Sequence, residues 1–182
     1  MQEKSFDYGT WKSKRWKTAI SRKALSAPMQ LALSSGILKP SSTIFDFGCG
    51  KFDDCTRLLL LGISAAGFDP YYYPKNVIQA ANVVSLLFVL NVIENVEERS
   101  WVLQYAWELT RNSLIIAVQP PSQSRGRIGE VWTKSGTYQK YFTASELIQL
   151  IRSCTNNGEI VLAKNGVVLV QKVVNQQLKI QL

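Results

Sequence analysis

The stretch STIFDFGCGKFDD, residues 42–54, decides the fold. A short apolar run, Thr43 to Phe47, passes directly into a glycine turn, and Asp53 and Asp54 then open a segment with a leucine face. That order predicts a strand, a tight turn and a helix, the first unit of a wound α/β sheet. In such sheets a ligand sits beyond the carboxyl ends of the strands, close to the first strand-to-helix turn. Gly48 and Gly50 keep side chains away from a molecule approaching that turn.

Working outward, ISAAGFDP (63–70) and ANVVSLLFVL (81–90) read as two further strands, because both are the continuous apolar runs of parallel strands covered on two sides. VEERSWVLQYAWELT (96–110) predicts a helix with an acidic first turn, and SLIIAVQPP (113–121) a strand stopped by two prolines. A Gly- and Ser-containing loop follows. Thr143 with Glu146 forms a capping-box pattern, and EIVLAKNGVVLVQKVV (159–174) predicts two strands around a Lys-Asn-Gly turn. Upstream, TAISRKALSAPMQLALSSGIL (18–38) predicts a helix or a helix pair bent near Pro28, with Leu25, Met29, Ala32 and Leu33 on one face. The expected architecture is α/β, a Rossmann-like and mostly parallel sheet with a C-terminal antiparallel hairpin. It occupies one domain, residues 27–182, preceded by an arm of residues 1–26.

The composition excludes several chemistries together. The 182 residues contain no His, so there is no Ser-His-Asp or Cys-His triad and no His-ligated zinc or iron. Cys49, Cys55 and Cys154 are odd in number and form no Cys-x-x-Cys pair, which argues against a disulfide framework and a thiolate metal site. A reducing, cytoplasmic setting is expected, with no metal. The most apolar stretches fall short of the ~20 residues a membrane-spanning helix needs, so no membrane partner is expected.

The net charge of +8 is uneven. In residues 1–26, seven bases stand against Glu3 and Asp7. Lys12, Lys14, Arg15, Lys17 and Arg22 are interleaved there with Phe6, Tyr8, Trp11 and Trp16, a composition suited to a phosphate backbone with rings for stacking. A second basic, aromatic segment, residues 111–142, holds Arg111, Arg125, Arg127, Lys134 and Lys140 against Glu130 alone, with Trp132, Tyr138 and Tyr141. The two could face one ligand. The other reading of the arm is a solvated basic tail.

The glycine turn and Asp69 together bear on a cofactor. Asp69 ends the second strand 21 residues after Gly48, close to the spacing at which an acid reaches ribose hydroxyls. NAD and S-adenosylmethionine both satisfy that spacing. A dinucleotide fold expects a third glycine three residues after Gly50, where Asp53 stands.

At Asp46, Gly48 and Gly50 the chain resembles the class I S-adenosylmethionine-dependent methyltransferases, whose first motif is an acid, any residue, Gly, any residue, Gly. More narrowly, KTAISRKALSAPM, FDFGCGKFDD, GFDPYYYP, FVLNVIEN and SGTYQKYFT together resemble the DNA phosphorothioation-associated methyltransferases, from about Lys17 to the final hairpin. The resemblance implies S-adenosylmethionine as cofactor. It places Asp46, Gly48 and Gly50 along the methionine and ribose, with Cys49 and Asp53 in the same turn, and Asp69 on the ribose hydroxyls with Pro70 beside it. Asn91 and Glu94 would border the methyl group and the acceptor as catalytic residues, Asn91 also touching the cofactor. DNA and other DNA-modification proteins are the implied partners, met through Lys12, Lys14, Arg15, Trp16, Lys17, Arg22, Lys134, Tyr138 and Lys140.

Two departures from the pattern stand out. Phe52 occupies a position where a third glycine is common, and the dozen residues PYYYPKNVIQAA (70–81) are too few for the usual helix, strand and helix before the next strand. Acceptor signatures for exocyclic amino groups and for cytosine carbon are absent. Beside a methyltransferase acting on nucleic acid, two readings stay open: an inactive, nucleic-acid-binding member of the fold, and a small-molecule methyltransferase.

Overall fold

A computed structural model of the protein describes residues 12–123 and 127–173. Lys4, Phe6, Tyr8, Trp11 and Arg125, which belong to the two basic segments, lie outside the described residues.

In chain order the elements are α1 (Ala27–Ser34), β1 (Thr43–Phe47), α2 (Asp53–Leu60), β2 (Ser64–Phe68), β3 (Ala81–Leu87), α3 (Val96–Leu109), β4 (Thr110–Ala117), β5 (Gly129–Trp132), β6 (Tyr138–Tyr141), α4 (Ala144–Cys154), β7 (Gly158–Lys164) and β8 (Val167–Lys172). Six strands form one sheet in the order β2-β1-β3-β4-β8-β7. The first four are parallel, β8 runs antiparallel to β4, and β7 closes the edge as its hairpin partner.

Both faces of this sheet are covered, which explains the continuous apolar strands. Alternate residues point to opposite sides. Phe45, Val84, Leu114, Ile116, Val168 and Val170 pack with Leu103 and Ala106 of α3 and Leu147 and Ile151 of α4. Ile44, Val83, Ile115 and Leu169 pack on the other side with Met29 and Ala32 of α1 and Leu58 of α2. Each of these side chains larger than alanine, once buried, contributes about 1.5–3 kcal/mol.

Local signals place the ends. Asn95 caps α3 by accepting the Glu98 N–H at 2.8 Å, and Thr143 and Glu146 make the full capping box of α4. Asn165 and Gly166 take φ of 53° and 79°, the left-handed pair that a two-residue hairpin turn requires.

Three expectations are corrected. Pro28 does not bend a helix but sits in the first turn of α1, where its missing N–H has no helical partner to lose. Upstream there is only a 3-10 turn at Arg15–Thr18 and irregular chain to Ser26. The expected loop after β4 contains the β5–β6 hairpin, a separate two-stranded sheet. The described part of the arm, residues 12–26, lies on the domain, with Ser13, Arg15 and Ser26 buried. Residues 70–80, by contrast, hold neither helix nor strand, only turns and one bridge between Asp69 and Tyr73, so β2 is an edge strand.

Candidate cofactor-binding cleft

The chain leaves β1 for β2 on one side and later returns to place β3 on the other, so the strand order switches between β1 and β3. Ligands bind outside the carboxyl ends of strands at such a point. A cavity of about 170 Å³ opens there, lined by the glycine turn, Asp46, Asp54, Asp69, Phe88, Val89 and residues of the 12–26 segment.

The glycine turn is held from below. The N–H groups of Gly48 and Cys49 both donate to the Phe68 carbonyl, at 2.8 and 3.0 Å, and the Gly50 N–H donates to Asp69 Oδ2 at 3.1 Å. Gly48 has φ 85°, and a Cβ there would overlap the Val89 side chain, so this position admits glycine alone. Phe52, where a third glycine was expected, adopts φ 68° all the same, and its ring packs on Tyr73 at 5.2 Å.

Asp46 and Ser85 are register partners on β1 and β3, so their side chains share a face, and the Ser85 hydroxyl donates to Asp46 Oδ1 at 2.6 Å. Burial pushes the Asp46 carboxyl up to about 7, against the opposing effect of that hydrogen bond. Asp69 Oδ1 accepts the N–H groups of Tyr71 and Tyr72, both at 2.9 Å, which turns the chain at Pro70 and orients the carboxylate at the cleft. Cys49 lies in the lining, but burial and the neighbouring carboxylates raise its thiol, so it stays protonated and is a poor nucleophile.

Asp53 and Asp54 do more than favour the start of a helix. Asp53 Oδ2 accepts the Arg22 N–H at 2.6 Å, and Asp54 Oδ1 accepts the Ser26 N–H at 2.7 Å. Both therefore tether the 12–26 segment across the cleft. Sequence reasoning passed over Ser26 and Glu98, which also line it. No local pattern marks either one, since only the path of the segment over the sheet brings them to the cleft.

From the loop after β3, Val92 and Ile93 line the cleft. Neither Asn91 nor Glu94 lines the cleft. Asn91 is buried, its carbonyl accepting the Lys140 N–H at 2.7 Å, so the loop after β3 is tied to β6. The Glu94 carboxylate is turned to the 12–26 segment, where it accepts the N–H groups of Lys12 and Ser13, the Ser13 hydroxyl and Arg15 Nε.

The basic segments are also rearranged. Arg15 is buried with its guanidinium on Glu94 and Glu98, and Tyr138 is buried with its hydroxyl accepting from Arg99 at 3.0 Å. Lys140 is committed to Glu146 at 3.0 Å and Phe142. Desolvation and these partners take the three away from a phosphate surface. Lys12, Lys14, Lys17 and Lys134 are exposed, while Arg22 lies along the cleft with its guanidinium over the Phe88 ring. Trp16 stacks on Tyr71, ring centroids 5.0 Å apart and planes 10° from parallel.

Among the described residues no helix is long and apolar enough to cross a membrane, and no group of three or more His, Cys, Asp or Glu side chains is placed to hold a metal.

No protein-family model matches the chain, and no curated protein matches it significantly. Solved structures do match. The 1,6-didemethyltoxoflavin-N1-methyltransferase of Burkholderia thailandensis, solved with that acceptor and S-adenosylhomocysteine, superposes with a TM-score of 0.59 at 19% identity, over 81% of this chain and 79% of its own. A methyltransferase from Methanosarcina mazei gives 0.61 at 17%, over 78% of this chain and 97% of its own. The CcbJ methyltransferase of Streptomyces caelestis gives 0.61 at 12%, over 92% of this chain and 98% of its own. The chain therefore has the fold of the class I S-adenosylmethionine-dependent methyltransferases.

Proposed function

We propose that the protein is an S-adenosylmethionine-dependent methyltransferase. One observation carries this reading: a glycine turn and the Asp69 carboxylate share a cleft at the switch point of the sheet. The residues suit the cofactor's parts. Asp69 retains acceptor capacity for ribose hydroxyls, and the glycine turn allows close approach of the main chain. Ser26 Oγ, buried in the cleft lining without a hydrogen-bond partner among the described residues, and Asp46, Asp54 and Arg22 suit the charged amino-acid end. When bound, the cofactor supplies the activated methyl group on its sulfonium. The chain's own part is to bind, orient and exclude water, which requires no imidazole.

A small-molecule acceptor is the first reading, because the 12–26 segment lies across the cleft with Arg15 engaged, leaving a compact opening. The solved proteins of similar fold include methyltransferases of 1,6-didemethyltoxoflavin and of a sugar. Nucleic acid in a DNA-modification setting is the second reading. It is favoured by the contact of the two basic segments, where Lys14 N–H donates to the Gly136 carbonyl at 2.7 Å beside Lys134.

Transfer of labelled methyl from S-adenosylmethionine to DNA, RNA and a small-molecule extract decides between them. Wild type is expected to label an acceptor and Asp69→Ala to lose most of that labelling. Absence of binding of S-adenosylhomocysteine to folded wild type in calorimetry would refute the proposal.

A further inference from the structure

We infer that residues 12–26 form the nucleobase wall of the cleft, with the Trp16–Tyr71 stack as its apolar face. This rests on the cofactor reading above. The segment takes the place of the sheet edge that residues 70–80 do not build.

If Asp69 takes the ribose, the next residues away from the glycine turn, Pro70 to Tyr72, border the base. Neither a helix nor a strand follows β2 to close that side. The 12–26 segment closes it instead. The Tyr72 hydroxyl donates to the Trp16 carbonyl at 2.8 Å, and the Trp16 ring lies flat on Tyr71. Trp16 is only half-buried and lines the cleft together with Tyr71.

The segment is fixed at both ends. Arg15 is held by Glu94 and Glu98 on one side of the stack, and Arg22 and Ser26 are held by Asp53 and Asp54 on the other. Nothing within this stretch is a regular helix that would hold its shape alone, so the anchors define where Trp16 stands. A flat ring pair at the edge of a ribose site suits a purine, whose face is apolar and polarizable. Trp16 then serves the cofactor and not a nucleic-acid strand, although its basic surroundings in sequence suggested the latter.

The test measures binding of S-adenosylhomocysteine and of adenosine to full-length wild type, Trp16→Ala and Trp16→Phe, with melting temperatures recorded in parallel. Trp16→Ala is expected to weaken both ligands by about tenfold, the scale of one lost ring–base contact, and Trp16→Phe to restore most of it. Trypsin digestion of wild type provides a second measurement: saturating S-adenosylhomocysteine should slow cleavage after Lys14, Lys17 and Arg22 more than after the exposed Lys164, which general stabilisation by a ligand would slow alike. Binding by Trp16→Ala within twofold of wild type, or a loss confined to S-adenosylhomocysteine and not adenosine, overturns the inference and leaves the methyltransferase reading standing. Cleavage unchanged by bound ligand does the same. If wild type binds neither ligand, both readings fall.

Discussion

Arg15 Nε donates to Glu94 Oε2 at 2.9 Å across 79 positions of sequence, with both side chains largely withdrawn from water. The pair ties the 12–26 segment to the loop after β3, and Glu98 at the start of α3 completes the clasp.

Removing the cation should cost more than the pair is worth, because a nearly buried carboxylate is left without its partner. Arg15→Ala is expected to lower unfolding free energy by about 3 kcal/mol, read from denaturant unfolding. The combined change Arg15→Met, Glu94→Gln should recover part of the loss; no recovery would mean that the damage is not electrostatic. Acid acts on the same clasp. Burial alone would raise the Glu94 carboxyl, but the Ser13 hydroxyl, main-chain N–H donors and Arg15 outweigh it and hold it below its usual 4.5. A lowered folded value means stabilisation present above 4.5 and lost as pH falls through the folded value.

Asp46 has the opposite sign. Its folded value of about 7 lies above the usual 3.8, so between those limits the folded chain holds a proton that the unfolded chain has released. Stability from this group therefore falls as pH rises from 3.8 to about 7 and then levels. Asp46→Asn keeps an acceptor for the Ser85 hydroxyl and removes the buried charge. Its melting-temperature advantage over wild type should be largest above pH ~7 and shrink steadily as pH falls toward ~4; a difference that does not change with pH would count against a buried, titrating Asp46.

Phe52 combines a left-handed backbone with a ring on Tyr73. Phe52→Gly relieves a conformation costing about 1–2 kcal/mol and loses a ring contact of about 0.5–1.5 kcal/mol. The net change should stay within about 1 kcal/mol. Phe52→Val loses the ring and, being β-branched, suffers more from the positive φ, so thermal unfolding should show it clearly less stable than Phe52→Gly.

At α4 the capping box satisfies helix N–H groups that would otherwise lack partners. Thr143→Ala should cost about 1 kcal/mol, with a matching drop in melting temperature. Hydrogen bonds from Thr143 main chain and side chain, with Lys140, hold Glu146 down to about 2. The Thr143→Ala variant should therefore show Glu146 titrating at higher pH in a carboxylate NMR titration, and an unmoved Glu146 would contradict the assigned cap.

Much of the fold was legible in sequence because its signals are local. The β1–turn–α2 unit, the acidic first turn of α3, the cap of α4 and the Asn165–Gly166 hairpin each depend on residues a few positions apart. The β5–β6 hairpin was not legible: β5 leaves Trp132 exposed and β6 is buried only at its ends, Tyr138 and Tyr141, so neither shows a plain apolar alternation, and the turn, Thr133 to Thr137, resembles any Gly- and Ser-containing loop. The positions of Asn91 and Glu94 were not legible for a different reason. The resemblance implied a place beside the methyl group, but which way each side chain of the loop after β3 turns depends on distant partners: the Asn91 carbonyl meets the Lys140 N–H of β6, and the Glu94 carboxylate meets Arg15.

The glycine turn, Asp69 and the strand–helix alternation were determined by the sequence alone, since backbone conformation at Gly48 and apolar periodicity are properties of neighbouring residues. What the basic, aromatic residues before Ala27 do was decided only by tertiary structure. Composition cannot distinguish a solvated cation from Arg15 between two carboxylates, or a free ring from Trp16 on Tyr71, because burial and pairing depend on partners tens of residues away.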